Sequence, residues 1–194
     1  MKYVKFLVAL TIVFYLPLTL KSQDSTSIHD LFYKKQQQSL SLLSGWSVGN
    51  LIYSPLATKN LFSPETTNEH FHQMNFSWNL LNVGIASLGH IIVNKDSKKP
   101  WDMKILYDKK KKAEKSIIIN IGLDIAYMIT GLLLKNNAKK NNSEYYMNKG
   151  YGNSLILQGG YLLIYDAIFL MKLKKILIKK LKFYLMDTLK RKYY

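Results

Sequence analysis

Apolar residues gather along this chain in five runs, separated by stretches rich in lysine, asparagine and other polar residues. The first run opens the chain as MKYVKFLVALTIVFYLPLTLKSQ, with Lys2 and Lys5 ahead of an apolar stretch over 6–20 and Ser22 beside a plausible cleavage point. That shape reads as a signal peptide or an uncleaved signal anchor over 1–22. The stretch is interrupted by Pro17 and falls short of the roughly 20 residues that a helical span needs. A polar lead-in follows over 23–38. The four later runs are SLSLLSGWSVGNLIYSPLA (39–57), the uncharged run 73–94, SIIINIGLDIAYMITGLLL (116–134) with Asp124, and GYGNSLILQGGYLLIYDAIFLM (150–171) with Asp166. Each exceeds the average soluble helix of about 11 to 12 residues, and strands of this length are unusual outside barrels. The pattern predicts an all-α fold, a four-helix transmembrane bundle over 39–171, with a basic amphipathic helix at 172–194. A soluble all-α domain with buried helices is the competing reading, and the slightly negative mean hydropathy favours it.

Between the runs, 58–70 (TKNLFSPETTNEH), the lysine-rich 95–115 around Pro100, and the asparagine-rich 135–149 read as solvated loops. Cysteine is absent, which excludes a disulfide framework, a thiolate nucleophile and cysteine metal ligands. The formal charge is +16, and all the basic residues but Arg191 are lysines, so coding bias explains that charge as readily as function does. Its placement is more informative: nine basic residues lie in 95–115 and nine more in 172–192. The positive-inside rule puts both segments in the cytoplasm, with a multi-pass chain between them. A translocated N-terminus puts the start of the 39–57 run outside, and four spans do not reconcile the two. Either the first run does not act as an export signal, or 39–57 does not fully span, or the lysines are compositional.

Within the runs the polar residues fall on one face. A 3.6-residue period aligns His72, Asn75, Asn79, Asn82, Ala86 and Gly89. Asn120, Asp124, Tyr127 and Gly131 repeat the device, as do Trp46, Asn50 and Tyr53. In the last run Gly152, Gly159 and Asp166 recur at sevens with Gln158 beside them. Amides and carboxylates are costly in lipid, so these faces are expected to turn inward. Two readings stand side by side. In one the amides are interhelical glue, and Gly84, Gly131, Gly152 and Gly159 let backbones approach. In the other, Asp124 and Asp166 line a polar cavity that serves a transport path or a ligand.

GWSVGN (45–50), FHQMNFSWNLLNVGIASLG (71–89), GLDIAY (122–127) and GYGNSLILQGGYLLIYD (150–166) together resemble a bacterial family of small membrane proteins recorded only as a domain of unknown function. The resemblance covers about 39–171 and implies the architecture, without a mechanism. The lysine-rich tail departs from the family pattern.

No HExxH or phosphate-loop motif occurs, and no catalytic residue, metal or cofactor is expected. His70 and His72 are two apart and point to different helix faces, which does not suit a shared metal. The expected partner is the lipid bilayer; nucleic acid is not expected and a protein partner cannot be read. The tail carries Leu173, Leu177, Leu181, Tyr184 and Leu185 at helical spacing among lysines, a pattern that suits the surface of an anionic leaflet.

Overall fold

The computed structural model describes residues 27–140 and 143–193, with the side chains of 103 and 177–193 outside the description. The signal-like segment over 1–22 therefore lies outside the described residues. The described chain is all-α: α1 (Ile28–Ala57), α2 (Thr67–Ser97), α3 (Met103–Asn137) and α4 (Tyr145–Tyr193).

Local chemistry sets the helix starts. Ser27 caps α1, its hydroxyl accepting from Asp30 N at 3.0 Å. Before α2, the sequence TTNE forms a capping box: Thr66 Oγ1 accepts from Glu69 N at 3.3 Å, and Glu69 Oε2 accepts from Thr66 N at 3.0 Å. Asp102 caps α3 by accepting from Ile105 N at 2.8 Å.

The helices outrun the apolar stretches that predict them. The supposed solvated loop over 95–115 shrinks to a short turn before Met103, and 103–115 is helical. The reason is a buried face at steps of three and four, Leu106, Lys110, partly buried Ala113 and Ile117, with the Lys110 ammonium 2.6 Å from Glu114. The polar lead-in is likewise mostly helix, because Phe32 and Tyr33 are buried. At the far end, α4 runs through Lys172 without a break. Leu173, expected on a membrane-facing tail, is fully buried among protein side chains, and Ile176 is nearly so.

α4 packs against each of the other three helices, and α1 also packs on α2. Ser39 meets Tyr165 and Trp46 meets Gln158, so α1 and α4 are antiparallel. Gln73 meets Tyr151 and Asn75 meets Gln158, so α2 and α4 run parallel. Both α1–α2 and α3–α4 turns consequently lie at one end. The other end holds the start of α1, the α2–α3 turn, and Lys172 onward.

That second end carries the one apolar cluster among the described residues: Phe32, Tyr33, Val93, Leu106, Ile117, Leu173 and Ile176. Trp101 docks the α2–α3 turn there by donating its indole N–H to Asp96 O at 3.0 Å, with the Lys109 ammonium 4.5 Å above its ring. Lys109 also pairs with the Asp96 carboxylate. His29 reaches across from α1 to Lys99 O at 3.0 Å.

Three helices are long and apolar enough to cross a membrane: α2 over Thr67–Ser97, Lys104–Asn137 of α3, and Tyr145–Ile176 of α4. α1 is not among them, although the sequence suggests four spans. Its inward face is Ser39, Leu43, Trp46, Ser47, Asn50 and Ser54, and those hydroxyls and amides dilute its apolarity. It nevertheless lies alongside α2 from Gln37 opposite His90 to Ser54 opposite Asn75, and so occupies the same depth.

Candidate functional site

The polar faces of α1, α2 and α4 meet at Asn75, which is buried. Its amide nitrogen donates to Asn50 Oδ1 at 2.7 Å and to Ser54 Oγ at 3.1 Å. Its amide oxygen accepts from Gln158 Nε2, and Gln158 Oε1 accepts from the Trp46 indole at 3.1 Å. Asn50 in turn donates to Trp46 O at 2.8 Å, and Asn79 donates to Asn75 O at 2.8 Å. The Trp46 ring stacks on Tyr161 at 3.8 Å and 7°. Every member sits at a step of three or four from another on its own helix, which is why one short network joins three helices.

The second concentration of polarity lies between α3 and α4. Asp124 and Asp166 are both buried, close enough for Asp124 to act on Asp166, and the Asn120 amide stands beside the Asp166 carboxylate. Asn120 itself is exposed, contrary to its expected interior place: its position on α3 lets the amide reach inward while the rest faces outward. Tyr127 is half-buried and meets the Trp78 ring edge-on at 4.7 Å. In the parallel register that pairs Asn75 with Gln158, Asn82 comes level with Tyr165, next to Asp166, and it is buried as well.

Glycines set the spacing here. A Cβ on Gly131 would stand 2.6 Å from Gly152 O, a Cβ on Gly152 would stand 2.6 Å from Gly131 O, and one on Gly159 would stand 2.8 Å from Asp124 O. Backbone lies against backbone, and only glycine fits. Gly84, expected at such an approach, is exposed with nothing within 4 Å. It falls on the outward side of α2, one step off the face that carries Asn82 and Ala86. A close approach absent from the sequence reading is Gly150, whose Cβ would stand 2.6 Å from Thr67 O. The GYG spacing was its only signal: Gly150 serves α2 and Gly152 serves α3.

His72 lies apart from the aspartates. It is buried between Tyr53 and Phe71, with ring centroids at 5.6 and 5.0 Å. Among the described residues no three His, Asp or Glu side chains gather as a metal set. His90 instead joins α1, with Nδ1 donating to Gln37 Oε1 at 2.6 Å and Nε2 facing Ser44 Oγ at 3.4 Å.

Several buried polar atoms have no hydrogen-bond partner: His72 Nδ1, Trp78 Nε1, Asn79 Oδ1, Asn82 Nδ2, Asp124 Oδ2 and Ser154 Oγ. Such atoms are costly, and at a site of this polarity water or a small polar guest satisfies them. The two regions therefore differ chemically. At the Asn75 node the amides bond to one another and Asn79 Oδ1 is left open, whereas at the aspartate seam Asp124 Oδ2 itself is open and so is the neighbouring Asn82 Nδ2.

No curated protein and no solved structure matches the chain. A family model does match residues 42–167, the stretch that contains the amide node, the glycine contacts and both aspartates, and the chain thus belongs to a family of unknown function (DUF6992).

Proposed function

We infer that this is a non-enzymatic, multi-pass protein of a bacterial inner membrane, whose inward polar faces specify how its helices pack or how they meet a partner. The observation that carries the reading is the Asn75 node, where one amide bonds to α1 and α4 at once and is itself fully enclosed. Around it, large apolar side chains face outward at the same depth: Ile52 and Leu56 on α1, Leu81 and Ile85 on α2, Leu123 and Ile129 on α3, and Ile164 on α4. Apolar outside and hydrogen-bonded inside is the arrangement that lipid favours. The lysine-rich end faces the cytoplasm in this reading, and the tail over 172–194 adds attraction to an anionic leaflet.

A second reading is a transport or ligand-binding bundle that uses Asp124 and Asp166. The unpartnered Asp124 Oδ2 favours it, because an intramembrane carboxylate with an open valence is suited to a proton, a cation or a hydrogen-bonding guest.

One experiment separates the two. Asp124→Asn and Asp166→Asn keep the size and the hydrogen-bonding capacity of each side chain but remove its charge. If the carboxylates only hold helices together, both variants insert normally and complement a deletion strain like the parent chain. Normal insertion with lost complementation and lost proton or cation flux in proteoliposomes selects the second reading. Release of the parent chain from membranes by a carbonate wash defeats both.

A further inference from the structure

Where α1 and α4 diverge at the lysine-rich end, a groove of about 200 Å³ opens, lined by Leu31, Lys35, Lys172, Lys175 and Ile176. Leu31 and Lys35 are four apart on α1, and Lys172, Lys175 and Ile176 lie within four on α4, so each helix turns one face to the groove. At ~30 Å³ per water, its volume takes several waters or one phosphodiester group. Its floor is apolar: Ile176 belongs to the buried cluster and Leu31 packs against it.

Three lysines line the groove, and none of its described lining residues is acidic. Lys35 is half-buried, and its one hydrogen bond is to the neutral Gln38 Oε1 at 3.1 Å. Partial burial, and then the nearby charges of Lys172 and Lys34, hold the Lys35 ammonium below its usual pKa. The nearest acid along α1 is Asp30, whose carboxylate faces His29 Nδ1 at 3.3 Å. Elsewhere at this end lysines find carboxylates: Lys99 and Lys109 at Asp96, and Lys110 at Glu114. Among the described residues, the groove therefore gathers positive charge with no carboxylate in its lining.

Its depth identifies the source of that anion. The Ser39–Tyr165 bond fixes the antiparallel register, and the groove begins just beyond the apolar run of α4 that ends at Met171. On the reading that α2 to α4 cross the bilayer, this is the level of the lipid headgroups, with acyl chains directly below. Basic pockets between helices on the cytoplasmic side hold anionic headgroups.

We propose that the groove between α1 and α4 is a binding site for one anionic phospholipid, its phosphate held by Lys35, Lys172 and Lys175 and its acyl chains leaving on the bilayer side, past Lys35 and Lys172. The occupant is a lipid and not free phosphate, because Lys35 and Lys172 are the groove residues nearest the apolar runs, so an anion held by them stands where headgroups meet acyl chains.

The test uses the full chain, purified in a neutral detergent and reconstituted into nanodiscs of phosphatidylcholine with phosphatidylglycerol, with retained lipid measured by mass spectrometry after delipidation. The parent chain is expected to retain phosphatidylglycerol over phosphatidylcholine. At about fivefold per lysine, the variant Lys35→Gln/Lys172→Gln/Lys175→Gln loses roughly 100-fold of that preference. A control variant, Lys98→Gln/Lys99→Gln/Lys104→Gln, removes as much charge from the same end and keeps the preference. Equal loss in both variants overturns the site in favour of a diffuse basic surface. Loss instead on Lys179→Gln/Lys180→Gln/Lys182→Gln assigns the preference to the tail and overturns the groove. Displacement of the lipid by millimolar inorganic phosphate would show a free-anion site and overturn the lipid occupant. Carbonate release of the parent chain is scored separately, since it sinks the membrane reading itself.

Discussion

The two ends of the α4 helix pack by opposite rules. Around Gln158 its neighbours are Asn75, Trp46 and glycine-lined backbone, while Ile164 on its other side is 59% exposed. Around Leu173 its neighbours are Phe32, Val93, Leu106 and Ile117, and the outward residues are lysines. The first arrangement suits lipid. Tails as apolar as leucine provide no hydrophobic drive between helices, so association rests on close backbones and interhelical hydrogen bonds. The second suits water, where removing apolar surface is itself the driving force. On the membrane reading proposed above, one helix crosses a change of solvent, and the composition of its buried face records where.

The comparison can be broken in three places. The largest effect is expected at the hydrated end: Leu173→Ala leaves a void in the apolar cluster and costs about 2–5 kcal/mol, read as thermal or denaturant unfolding of the protein in detergent. Next is Gly152→Val, which drives side-chain carbon into Gly131 O and Lys135 N, at 2.6 and 3.0 Å for the first added atom alone. Backbone cannot step aside, and the expected loss is about 1–3 kcal/mol or more. Gly84→Val, facing open space, leaves the melting temperature unchanged. The smallest is Gln158→Leu, which unlinks Trp46 from Asn75; interhelical hydrogen bonds in membranes average about 0.6 kcal/mol and reach about 1.7. A Gln158→Leu loss greater than that of Leu173→Ala would reverse the ranking and with it the assignment of solvents.

The sequence made the polar faces legible because amides at steps of three and four have one reading on a helix. Asn75, Asn79, Asn82, Asp124, Gln158 and Asp166 are all buried. It did not reveal how far the helices extend. In 103–115 the lysines hide the face formed by Leu106, Lys110, Ala113 and Ile117, because a pattern with a lysine in the buried row resembles a charged loop. Lys110 is tolerated there only because Glu114 lies one turn away. Nor did it tell Gly84 from Gly131. Both are glycines in apolar helices, and what separates them is whether another backbone stands opposite, a tertiary fact that no local spacing encodes. The pairing of Asn75 with Gln158, far apart along the chain, belongs to the same class.

The central place of α4 also bears on how such a chain is made. Synthesis delivers α1, α2 and α3 first, and each of them exposes amides or bare backbone whose partner is Gly150, Gly152, Gln158 or Gly159. On the membrane reading, Trp46, Asn75 and Asp124 lie without it until α4 emerges. The last helix therefore turns a set of loosely held segments into one body, and a chain that stops short of it keeps those polar groups without their α4 partners.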